Sequence, residues 1–104
     1  MRELAAYIAR ARTKALPRGV QETTKHHVLD TIAAMVSGSR LIPGRRALTF
    51  VKTVGGNKEA TVAASGFATN AVNAALANGM AAHADETDDS HSPSVTHPGC
   101  GTVS

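Results

Sequence analysis

Between Asn70 and Ala84 almost every residue is Ala, Val, Leu, Met or Asn, and this stretch limits most sharply what the chain can become. Such a run has high intrinsic helix propensity, and its side chains are short enough for neighbouring helices to come close. Gly79 within it costs ~1 kcal/mol of helix stability, which points to a close backbone crossing there. The rest of the chain is similarly short of bulk. Of 104 residues, 19 are Ala and only Tyr7, Phe50 and Phe67 are aromatic, so the core must be assembled from small side chains. A chain of this length builds one core, and a core of small residues buries little apolar area per residue. The expectation is a marginal structure completed by bulkier residues from a partner or from further chain.

Apolar spacing predicts three more helices. Leu4, Ile8 and Ala11 recur at helical intervals over 3–14, ahead of Pro17 and Gly19. Val28, Leu29, Ile32, Met35 and Val36 form an apolar stripe over 20–37, with Gly38 as its terminator. Leu48, Val51 and Val54 share a face over 45–54, after Pro43-Gly44 and before Gly55-Gly56-Asn57. Around Thr61 and Val62 the stretch 60–64 suits an extended turn or a short strand. With a fourth helix over 70–84, the fold class is mainly α.

The charges are segregated. Residues 1–58 hold all 11 Lys and Arg with three acids, whereas residues 59–104 hold five acids and no base. The basic residues are dispersed and the three aromatics make no stacking platform, which argues against nucleic acid. No run approaches the ~18 apolar residues of a membrane span, and the charged N-terminal stretch does not resemble a secretory signal. A single Cys, Cys100, forms no internal disulfide and suits a reducing cytoplasm.

Chemistry concentrates in one segment. The 15 residues from His83 to His97 contain Asp85, Glu86, Asp88, Asp89, Ser90 and His91, amounting to four of the eight acids and three of the five histidines. Three readings fit this composition. A polar loop after a buried helix needs nothing more. A divalent metal would find imidazole and carboxylate ligands, although neither a His-Glu-x-x-His helix nor an EF-hand loop is present. Glu86 and His97 would serve as an acid/base pair for proton transfer near neutral pH.

The segments His27 to Gly38, Gly55 to Val62, Ala77 to His83, Asp88 to His91 and Thr96 to Gly99 together resemble the MmgE/PrpD family in order and spacing, over residues ~20 to 104. That family includes 2-methylcitrate dehydratase, cis-aconitate decarboxylase and iminodisuccinate epimerase. The resemblance implies the N-terminal portion of the family's helical domain, with the active-site loop at 83–99, in an enzyme that uses neither cofactor nor metal. The substrate it implies is a small di- or tricarboxylic acid, deprotonated next to a carboxylate, and dehydration is the preferred reaction over epimerisation or decarboxylation. By position the family's active-site acid, hydroxyl and imidazole fall on Glu86, Ser90 and His97. Catalysis is thus expected from His97 and Glu86, with Ser90, Asp89 and His91 on the substrate. The acid is Glu where the family usually has Asp, and Thr87 stands at an aromatic position.

Asp88 and Asp89 suit loop anchoring through backbone N–H groups, Asn78 suits a partner within the protein, and His26 and His27 read as structural. Cys100 reads as a small buried thiol. The family's lysine, second histidine and tyrosine positions fall beyond Ser104, so the chain is expected to carry one wall of the site. Its expected partner is a larger complementary chain, in a homodimer or hetero-oligomer. The reading from another class is a non-catalytic helical subunit that completes such a partner, for which the acidic loop would be dispensable.

Overall fold

A computed structural model describes all residues from Met1 to Ser104. Helix α1 (Arg2–Ala11) is followed by α2 (Arg18–Gly38), α3 (Ile42–Val54), strands β1 (Ala60–Val62) and β2 (Phe67–Thr69), then α4 (Ala71–Ala82) and α5 (Pro98–Thr102). The protein is mainly helical, as composition and apolar spacing predict.

Local chemistry explains where the boundaries depart from the sequence reading. α3 begins at Ile42, three residues earlier than apolar spacing alone suggests, because Pro43 lies in the first turn where its missing N–H costs no hydrogen bond. Asn70 lies just outside α4 and caps it, its side-chain oxygen accepting the Asn73 N–H at 2.8 Å. α1 stops at Ala11, where the Thr13 hydroxyl and N–H both turn back to the Arg10 carbonyl. The stretch 60–64 contains β1, whose antiparallel partner β2 has no period long enough to announce it. The register is Ala60↔Thr69, Thr61↔Ala68 and Val62↔Phe67. Asn78 pins this hairpin to α4, accepting the Ala63 N–H at 2.8 Å and donating to the Thr61 carbonyl at 3.2 Å.

α3, the hairpin and α4 enclose the core of Ala47, Val51, Val62, Ala74 and Ala77, flanked by Leu48, Ala60 and Phe67. Complete burial of Val51 contributes ~1.5–3 kcal/mol. α2 lies along the neighbouring side of α4. Its buried residues are Thr31, Ala34, Met35 and Gly38, and this corrects the expected inward stripe: Leu29, Ile32 and Val36 are exposed. Size selects the inward face here. A Cβ on Gly38 would overlap the Ala81 carbonyl oxygen and crowd the Ala84 side chain, so only the small-residue face lets α2 come this close. No residue of α1 is buried, and Leu4, Tyr7 and Ile8 are open to solvent. No helix is long and apolar enough to cross a membrane.

The five residues of α5 are too few to nucleate and hold a helix alone. α5 is held from outside. It crosses α4 at Gly79, where a Cβ would come within 3.1 Å of the Cys100 carbonyl oxygen, and Pro98 occupies its first turn. Gly99 is buried against α2 and the preceding loop, where a Cβ would meet Thr31 Oγ1 and Asp89 Oδ1.

Candidate active site

Three chain segments meet at one buried carboxylate. His83 closes the C-terminal end of α4, Asp88 lies in the loop that follows, and His97 directly precedes α5. The Asp88 side chain is fully buried, with its Oδ1 3.3 Å from His83 Nδ1 and 3.2 Å from His97 Nδ1. His97 Nδ1 also lies 3.3 Å from the Asp88 carbonyl oxygen. The two imidazole rings sit 5.0 Å apart between centroids, tilted by 58°. Asp88 Oδ2 is buried without a hydrogen-bond partner.

Asp89 does the anchoring expected of one of the two aspartates. Its Oδ1 accepts the Gly99 N–H at 2.8 Å, and its Oδ2 lies 3.9 Å from His27 Nδ1. His27 thereby joins α2 to the loop. Asp85 makes a second tie: Thr87 donates to it at 2.7 Å and Ser37 at 3.4 Å. The Thr87 hydroxyl holds the Asp85 carboxyl below its ordinary value against a smaller opposing effect of desolvation. Because the folded value is the lower one, the tie stabilises above the ordinary carboxylate value and fades as the pH falls through the lowered one.

The remaining expected site residues lie further out. His91 pairs with Thr96 through a backbone bridge, and its Nδ1 is 2.6 Å from Ser94 Oγ. Ser90 is exposed and lines two open grooves. One, of about 410 Å³, includes His27, Thr31, Asp89 and Thr102. The other, of about 320 Å³, includes His91, Thr96 and His97. Glu86 is exposed at φ +55°, a left-handed conformation costly for a residue with a Cβ, and no hydrogen bond or ion pair joins it to His97. The structure thus brings His97 together with Asp88 and His83 rather than with Glu86. The largest concavity, about 590 Å³ beside Tyr7, Arg10 and Leu16, is lined by no His or acid.

His83, Asp88 and His97 place three potential metal-ligand atoms within 4.8 Å of one another. The carbonyl oxygen beside His97 Nδ1 favours a different account, because a carbonyl only accepts hydrogen bonds and asks for a proton on that nitrogen.

Cys100 is half-buried and its thiol donates to the His97 carbonyl at 3.1 Å. Burial, and next the Asp88 charge, push the thiol above its ordinary value. The folded value being the higher one, the resulting stabilisation is complete below the unfolded thiol's value and is lost as the pH rises through the folded one. Iodoacetamide at pH 8.5 is therefore expected to alkylate the folded protein several-fold more slowly than the urea-unfolded chain. Equal rates, read by mass spectrometry, would contradict this environment.

The chain matches no curated protein and no solved structure. It does match the MmgE/PrpD N-terminal domain over residues 2–104. With nearly every residue covered by that domain, the chain belongs to the MmgE/PrpD family.

Proposed function

We propose that this chain forms part of a lyase that removes water from a small di- or tricarboxylic acid, with no cofactor in the proton transfer. The observation that carries the reading is the seating of His97. Its Nδ1 faces two oxygens of Asp88, it heads a helix clamped onto α2 and α4, and it lines an open groove with Ser90 and His91. In the proposed reaction His97 takes the proton from a carbon next to a carboxylate. The C–H electron pair becomes the new C=C bond, and the hydroxyl on the adjacent carbon leaves with a proton as water. Glu86, exposed and unpaired, supplies that second proton once substrate draws its loop inward. Ser90 and His91 at that groove, and Asp89 at the neighbouring groove that Ser90 and His91 also line, orient the substrate.

A polycarboxylate brings two or three negative charges to a half of the chain with five acids and no base. At ~6 Å and an effective dielectric of ~20, each like-charge pair costs ~3 kcal/mol. The compensating cations come, in this proposal, from a complementary larger chain of the same enzyme, which also covers Leu29, Ile32 and Val36. The single half-buried thiol fits assembly in the cytoplasm.

The test is to isolate the protein under native conditions through a tag on this chain, retain whatever co-purifies, and add 2-methylcitrate in D₂O. Expected are new alkene carbon signals in the ¹³C spectrum and activity only in fractions that hold a second polypeptide. Fractions with every co-purifying chain that neither convert 2-methylcitrate, cis-aconitate or iminodisuccinate nor exchange deuterium into them would overturn the assignment. Exchange without an alkene would replace dehydration by epimerisation.

A further inference from the structure

We infer that Asp88 is a positioning residue that fixes His83 and His97 with the proton on Nδ1, leaving Nε2 of each ring as its proton-accepting atom. This rests on the proposed role of His97 in proton transfer. The argument itself starts from oxygen atoms alone.

An ionised carboxylate and a backbone carbonyl accept hydrogen bonds and donate none. His97 Nδ1 lies 3.2 Å from the carboxylate oxygen of Asp88 and 3.3 Å from its carbonyl oxygen, so an unprotonated Nδ1 would set its lone pair against two others. His83 Nδ1 approaches the same carboxylate oxygen at 3.3 Å. Both rings are therefore driven to the Nδ1–H tautomer, the reverse of the Nε2–H form that an unconstrained neutral imidazole prefers. The tautomer is set by the partner of the other nitrogen, and this frees Nε2 to take a proton.

Burial gives the arrangement its force. The Asp88 side chain is inaccessible to water and its Oδ2 has no partner, so the His83 N–H that bonds Oδ1 and the His97 N–H 3.2 Å from it are the side-chain groups that compensate a buried carboxylate. Removing either leaves that carboxylate less satisfied, which makes the cluster resist rearrangement. His83 therefore acts through Asp88: it holds the shared oxygen from the α4 side while His97 meets it from the α5 side. A carboxylate that orients an imidazole and selects its tautomer is the established logic of catalytic histidine pairs.

The test is a long-range ¹H–¹⁵N correlation spectrum of the ¹⁵N-labelled chain above the pH at which its imidazoles titrate, repeated on Asp88→Asn, with turnover of the assembled enzyme measured alongside. The expected wild-type spectrum shows both rings as Nδ1–H. Asp88→Asn is expected to return His83 toward Nε2–H, because the carboxylate is its one partner, while His97 keeps the backbone carbonyl of residue 88, and to lower kcat at least ~10-fold with KM little changed, since an amide group keeps the size but not the acceptor-only character. A wild-type His97 in the Nε2–H form overturns the inference whether or not the protein is active. So does a folded Asp88→Asn variant with unaltered tautomers and kcat. If that variant does not fold, the wild-type spectrum decides alone. Titration with ZnCl₂ supplies the remaining arm: stoichiometric metal that displaces both Nδ1 resonances overturns the inference in favour of a metal site, because an Nδ1 that ligates an ion carries no proton. Nδ1–H rings in a protein inactive on all three acids would uphold the positioning role and reject the lyase reading instead.

Discussion

His97→Ala is expected to lower turnover of the assembled enzyme by ~10² or more, because a positioned acid or base is commonly worth 10² to 10⁴ in rate. The ring is unusually well placed for this to be a clean measurement. Its side chain is about 30% exposed, so truncation removes the groove-facing group without opening the core around Val51. The fold should survive, with helix content close to the parent's and an unfolding temperature lowered by the loss of one neighbour of the buried Asp88 carboxylate. Glu86→Gln is expected to cost a similar factor, and Glu86→Asp less, since it keeps the carboxyl and shortens its reach by one methylene. The two variants probe different geometries. His97 is already seated in the free protein, whereas Glu86 makes no hydrogen bond there and has to be recruited. Near-normal kcat in both His97→Ala and Glu86→Gln would reject the proton-transfer assignment.

The largest expected effect on stability comes from a single methyl group. Gly38→Ala should destabilise the protein by ~3 kcal/mol, at the upper end of what overpacking usually costs, and lower the unfolding temperature by ~15 °C for a domain of this size. The added Cβ would occupy the position of the Ala81 carbonyl oxygen, and backbone cannot rotate aside as the end of a flexible side chain can. α2 and α4 must then separate, and Thr31, Ala34 and Met35, buried on the same face of α2, lose burial with them. Gly19→Ala is the control, because nothing lies within 4 Å of a Cβ there. Equal melting temperatures for Gly38→Ala and the control would show that the helices are not in contact at Gly38.

These two positions also show what the sequence makes legible. Gly38 is the last helical residue of α2, without the left-handed backbone of a terminator, and its smallness serves the approach of α4 instead. The Pro43 punctuation and the alanine-rich α4 are local signals, carried by backbone preferences within a few residues. The close crossing at Gly79 was readable for the same reason. The inward face of α2 was not. Hydrophobic spacing selects Val28, Leu29, Ile32, Met35 and Val36, of which Met35 is buried and Leu29, Ile32 and Val36 are exposed, while Thr31, Ala34 and Gly38 turn inward because the space beside them belongs to another helix. β2 has three residues, too few for alternation to register. His83 and Asp88 stood within the dense segment, yet their union with His97 depends on a loop returning across α4, which no periodicity encodes. The small pointer was Asp88 itself, an acid next to the better-known motif positions whose environment only the fold reveals.

The division of the contacts has a kinetic consequence. α3, the hairpin and α4 lie consecutively within residues 42–82 and close on one another through short loops. Joining α2 to α5 instead brings together segments separated by some sixty residues of chain, as in the approach of Thr31 to Gly99. Loop-closure entropy favours the local unit first. The scaffold is thus expected to organise early, with α2 docking and the histidine cluster following once the rate-limiting barrier has been crossed. In stopped-flow measurements Gly38→Ala should then leave the refolding rate nearly unchanged and hasten unfolding, since its penalty is incurred after that barrier. The histidine cluster is expected to be the last part of the molecule built and the first lost, so under the proposed function activity should disappear under mild denaturant before the helices melt.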